Sequence, residues 1–166
     1  MDPNLTDSLQ TVAEISIALA GFTGIAGVIS NRGGHAFSGP ESFLLWTLLI
    51  VSGLLLFSSF LPSTVALLTD DNEKIWRWSF RCLLGSHIVA WLISIPFMRQ
   101  SGVLLEQWPQ PQRGIGFFFL AVGFSTVLVE ASAVFAVANL RSPFVFQTLL
   151  LVLLLIAFAS FVLLMV

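Results

Sequence analysis

Four ionisable residues, Glu14, Arg81, His87 and Glu130, stand inside otherwise apolar stretches of this chain. Two carboxylates, an imidazole and a guanidinium could relay protons, pass cations or pair with one another as a polar network. Glu14, His87 and Glu130 could supply three ligands to a zinc ion if they converged. Which of these chemistries is open depends on whether the surroundings are water or lipid. An unpaired charge in lipid is costly, so such residues are expected to face one another or a wet cavity.

The composition decides for lipid. The chain has 166 residues, of which 57% are hydrophobic and only 10% charged, with a mean hydropathy of +0.95. Soluble domains carry charge on roughly a quarter of their residues. Five segments approach or exceed the roughly 20 apolar residues that cross a bilayer, over residues 11–30, 43–69, 78–97, 114–138 and 144–166. Because backbone groups in lipid must be satisfied internally, the expected fold is all-α: a polytopic transmembrane bundle forming a single domain over residues 1–166. Merging the last two segments would leave four spans, but Arg141 and Pro143 interrupt the run. Pro62 lies within the second span, where a kink near residues 58–61 is expected. No basic residue precedes the first span, so it reads as a retained span rather than a secretory leader.

Alternating spans give each polar residue a depth. With side A defined as the N-terminal side, His87 lies about 14 Å and Glu130 about 12 Å inside from side A at 1.5 Å per residue. Glu14 lies a few residues in and Arg81 just inside. Ser58, Ser59, Ser63 and Thr64 occupy the side A half of the second span, and Gln147 and Thr148 open the fifth. The expectation is a cluster of Glu14, Arg81, His87 and Glu130 near side A, with the serines and Thr64 as secondary hydrogen-bond partners. The half towards side B reads as uninterrupted hydrocarbon. Four basic residues on side A against three on side B lean towards a cytoplasmic N-terminus.

Small residues mark the first span as a contact helix. Ser16, Ala20 and Gly24 recur every fourth position with Gly27 close to that face, a spacing that lets helix backbones approach closely. Glu14, Ala18 and Gly21 form a neighbouring stripe, placing the carboxylate in the bundle centre or at a subunit contact. The leucine-rich fifth span has no such stripe and reads as lipid-facing. Trp46, Trp76, Trp78 and Trp108 fall near expected interfaces, whereas Trp91, one turn after His87, is placed to pack on the imidazole or close a cavity.

The stretch from Ala13 to Ile25, AEISIALAGFTGI, resembles the first helix of an uncharacterised family of small bacterial multi-span membrane proteins. The resemblance covers that helix and implies a multi-pass protein of the bacterial inner membrane. It brings no reaction, ligand or partner with it. Gly21-Phe22-Thr23-Gly24 is not a phosphate loop, because it lacks the Gly-Lys-Ser or Gly-Lys-Thr that such a loop needs.

Enzyme chemistry finds little support. The aspartates, Asp2, Asp7, Asp70 and Asp71, all fall outside the spans, so a paired-aspartate protease fails, and no serine carries a nucleophile motif. His35 sits towards side B, far from His87, which makes a bis-histidine haem a poor fit. No cofactor or metal is expected. Cys82 is the single cysteine, which excludes an intrachain disulfide, and no basic-aromatic run suits nucleic acid. Two readings remain. One is a homo-oligomeric helical assembly that conducts protons or cations. The other is a non-conducting structural or partner-binding subunit of the bilayer with a buried polar network.

Overall fold

The computed structural model describes residues 3–32, 38–100, 110–135 and 140–165. They form five helices, α1 (Pro3–Arg32), α2 (Gly39–Ala66), α3 (Asn72–Gln100), α4 (Gln110–Phe135) and α5 (Pro143–Met165). All five are long and apolar enough to cross a membrane, so the chain is a multi-pass helical bundle with five spans rather than four. Large apolar side chains cover its outside, among them Ile17, Ile25, Phe57, Phe60, Leu92 and Leu155. A water-soluble monomer rarely shows an apolar surface of that extent.

Helix ends follow local chemistry more than hydropathy, and all five elements begin before the expected spans, while α2 stops at Ala66, short of the expected residue 69. α1 begins at Pro3 rather than at residue 11, because Leu5, Leu9 and Val12 already bury one stripe of its polar-looking first turns. At the start of α2, Ser38-Gly39-Pro40-Glu41 is a capping box. The Ser38 N–H donates to Glu41 Oε2 at 2.7 Å and the Glu41 N–H donates to Ser38 Oγ at 3.4 Å, with Pro40 inside the first turn where no donor is lost. Asp71 caps α3, accepting from the Glu73 and Lys74 N–H groups at 3.0 and 3.3 Å. Both Pro62 and Pro96 lie inside continuous helices, so α3 runs past Pro96 to Gln100 instead of ending there. Arg141 folds back on the end of α4, donating from Nε to Ala133 O at 2.7 Å and from an Nη to Val134 O at 3.0 Å. That places a cation on the orphan carbonyls at a helix C-terminus.

α2 is the hub, packed against α1, α3 and α5, while α4 meets α3 and α5. The fifth helix is therefore not the lipid-facing element its sequence suggests. Phe146, Leu149, Leu150, Leu153, Ile156, Ala157 and Ser160 form a buried stripe along it, and only the opposite face meets the outside. A helix that is apolar all round carries no signal for which face is covered. At the side A end, Phe146 packs edge-on to Phe80 with ring centroids 5.4 Å apart and lies 5.7 Å from Trp76. Trp76 is thus a buried anchor, its indole N–H donating to Asn72 Oδ1 at 3.1 Å. Near the other end of the bundle, Trp46 of α2 stacks on Phe97 of α3 with centroids 3.7 Å apart.

Candidate functional site

His87 and Glu130 meet. The antiparallel run of α3 against α4 brings His87 Nδ1 to 3.0 Å from Glu130 Oε1 and 3.2 Å from Oε2. The carboxylate side chain has no exposure and the imidazole 5%. One turn further along α3, Trp91 packs on Gly123 of α4 so closely that a Cβ there would lie 3.3 Å from the indole Cζ2. Glycine lets the two helices close tightly at that level, where a Cβ would push the indole back by a few tenths of an ångström.

The other two members of the expected cluster are elsewhere. Glu14 lies on the exposed face of α1, where Gln10 Nε2 donates to its Oε1 at 3.0 Å across one helical turn. Arg81 points outward with its guanidinium 5.1 Å from the centre of the Trp78 ring, a cation–π contact on the bundle surface. The reason is angular: relative to His87, Arg81 lies six residues back on α3, and at about 100° per residue that leaves it on a different side. The secondary polar residues divide too. Ser58 and Ser59 are buried, whereas Ser63 and Thr64 are exposed. Ser59 and Thr64 turn their hydroxyls onto Leu56 O and Phe60 O of their own helix, and Ser58 Oγ is buried without a partner. None of the four is bonded to the pair. Among the described residues no three His, Cys, Asp or Glu side chains gather as metal ligands, so the three-ligand convergence does not occur. His35 and Trp108 fall outside the described residues.

The small-residue face also differs from expectation. Ser16 is fully buried, Ala20 and Gly27 are half-buried, and Gly24 is exposed. A Cβ added at Gly21, Gly24 or Gly27 meets nothing within 4 Å. Within the chain, α1 packs instead through Leu5, Leu9, Val12, Ser16, Leu19 and Thr23, a stripe with alternating steps of four and three residues. Glu14, Ala18 and Gly21 share the outward face, so the carboxylate is not in the bundle centre.

What the sequence did not mark is a slot on the side B side of the pair. Its volume is about 90 Å³, and residues of α2, α3, α4 and α5 line it, with His87 at the inner end and Phe43, Trp46, Phe97 and Met98 towards the outer one. Trp91 forms part of the wall, the cavity-closing role its position suggested. The α3 contribution, His87, Trp91, Ser94 and Met98, follows helical spacing and is legible as one face. That this face opposes a gap, and that Phe119 and Leu120 close it from α4, requires the packing. Ser94 spends its hydroxyl on Ala90 O at 2.7 Å, which leaves His87 as the polar group at the inner end. Towards side A, fully buried Phe80 and Phe146 fill the space between α3 and α5. The pair is therefore reached from the apolar slot and not from the side A face. Comparison with protein-family models, with curated proteins and with solved structures returns no match for this chain.

Proposed function

We propose that the chain is a non-conducting, ligand- or partner-binding subunit of a bacterial inner membrane, with its N-terminus in the cytoplasm. The bacterial setting rests on the first-helix resemblance and the orientation on the distribution of basic residues. What supports a non-conducting role is the enclosure of the His87–Glu130 pair. The carboxylate is fully buried, and the space beside it is a narrow apolar slot. A conducting path needs successive polar or wet sites from one face to the other, and the mainly apolar lining of the slot does not supply them. The pair instead ties α3 to α4, as interhelical polar contacts do in lipid.

A second reading has one observation in its favour. Glu14 and Gln10 lie on the outward face of α1 beside Ala18 and Gly21, where a symmetric homo-oligomer could line a proton or cation path with repeated carboxylates. Proton and potassium flux into proteoliposomes separates the two. The non-conducting reading expects no flux above empty liposomes for the native protein. Flux that disappears in Glu14→Gln, with folding and assembly intact, would establish the oligomeric channel instead.

A further inference from the structure

We propose that copies of this chain meet in the bilayer through α1 of one and α3 of the next, with Glu14 paired to Arg81 of the neighbouring copy. The contact names the partner in the partner-binding role proposed above and rests on that half of it.

Charge carries the argument. Glu14 and Arg81 have opposite signs, lie well inside their spans and are both exposed. Glu14 is met by the Gln10 amide and Arg81 by the Trp78 ring, and among the described residues neither has an ion pair. Lys74 and Arg77, at the start of α3, are already paired with Asp71 and Glu73. A charge turned towards lipid is costly, and pairing with an opposite charge relieves that cost. The two do not meet within one chain, because α1 packs on α2 and α5 while α3 packs on α2 and α4. Their depths agree, however. Glu14 lies ten residues into its span and Arg81 nine, about 15 and 14 Å from side A at 1.5 Å per residue. Both helices run inwards from side A, so rotation about the membrane normal brings the two residues opposite each other on parallel helices.

The surrounding faces match in step. Ala18, Gly21 and Ile25 follow Glu14 at intervals of four, three and four residues, and Gly85, Ile88 and Leu92 follow Arg81 at the same intervals. With the charges paired, Ala18 falls opposite Gly85, Gly21 opposite Ile88 and Ile25 opposite Leu92. All six are exposed. A Cβ added at Gly21 or Gly85 meets nothing within 4 Å in the chain itself, which leaves room for a second helix to approach closely. A two-fold contact of α1 on α1 would set Glu14 against Glu14, whereas α1 on α3 joins opposite charges. Such a contact uses a different face on each copy and repeats into a ring where the rotation closes. It also occupies the Glu14 carboxylate, which a conducting oligomer would need free.

The test uses the full chain in liposomes. Separately tagged Ala18→Cys and Gly85→Cys proteins, both carrying Cys82→Ser, are mixed and oxidised. A disulfide dimer containing both tags is expected, with little cross-linking of either protein alone. Glu14→Arg or Arg81→Glu, placed in both tagged proteins, should each lower its yield about tenfold, the scale of a strong interhelical polar contact. Combining Glu14→Arg with Arg81→Glu exchanges the signs and should restore the dimer, a rescue that misfolding of a single variant does not imitate. No mixed dimer, an equal yield from Ala18→Cys alone, or a yield indifferent to both reversals would each overturn the contact. Indifference is the outcome if Arg81 serves a lipid phosphate instead. The contact and the non-conducting reading fail separately. Flux through the native protein removes that reading and leaves a charge-dependent mixed dimer standing, whereas silent liposomes without a mixed dimer remove the contact alone.

Discussion

Replacing Glu130 with leucine leaves His87 Nδ1 without its partner in a site with almost no exposure. Three magnitudes bound the cost. A buried donor left without its acceptor costs about 1–3 kcal/mol, and breaking a buried ion pair from one side costs about 3–5 kcal/mol. Interhelical polar contacts in bilayers average only about 0.6 kcal/mol and reach about 1.7, because helices separated in lipid still find partners. Both Glu130 oxygens face Nδ1, at 3.0 and 3.2 Å, and no other acceptor among the described residues replaces them. A loss of about 2 kcal/mol is therefore expected for Glu130→Leu, at the upper edge of the bilayer range. Glu130→Gln keeps an acceptor of the same shape and should lose about 1 kcal/mol or less. The decisive variant is the double one. His87→Phe with Glu130→Leu removes both polar groups, so it should be more stable than the sum of the single losses requires, by about 1–2 kcal/mol. Reversible unfolding in mixed micelles gives all four corners of the cycle. Additivity to within about 0.5 kcal/mol would refute the coupled pair.

Other expectations follow from single contacts. Gly123→Leu drives a side chain into Trp91, whose indole lies only 3.3 Å from the place a Cβ would take; it should cost about 1–3 kcal/mol and shift tryptophan emission, whereas Gly123→Ala should stay within about 1 kcal/mol. Gly24→Leu meets open space, so unfolding of the single chain should change by less than about 0.5 kcal/mol, while sizing in detergent reports whether that face joins two copies. Arg141→Met gives up both bonds to the end of α4 and should lower stability by about 1–2 kcal/mol. Hydrogen bonds from the Lys74 backbone and side chain hold the Asp71 carboxyl below the usual aspartate range. Its stabilising contribution is thus complete above the ordinary value of about 4 and is lost as pH falls through the lower folded value. Acid titration of Asp71→Asn, followed by helicity, should lack that component.

Lipid as the surrounding solvent, helices as the only regular structure and five spans were all readable from the sequence, because the energetic penalty on unpaired backbone in hydrocarbon acts on each segment by itself. The shared level of His87 and Glu130, which meet, was readable too, because it depends only on counting along each helix. Rotation about the helix axes was not readable. Glu14, Arg81, His87 and Glu130 all fall in the half near side A, yet only the latter two share a side, and depth is all that hydropathy supplies. The same gap misplaced α5, whose leucines look alike around the whole axis until α2 covers one face. It also hid the slot, which exists because four helices, each packed well against some neighbours, leave a narrow space between them. Tertiary packing alone chose those rotations, through contacts such as Trp91 on Gly123 and Phe146 on Phe80, both between residues far apart in the chain. A periodic pattern states that a helix has a buried side, but the partner that buries it is fixed only when the helices meet.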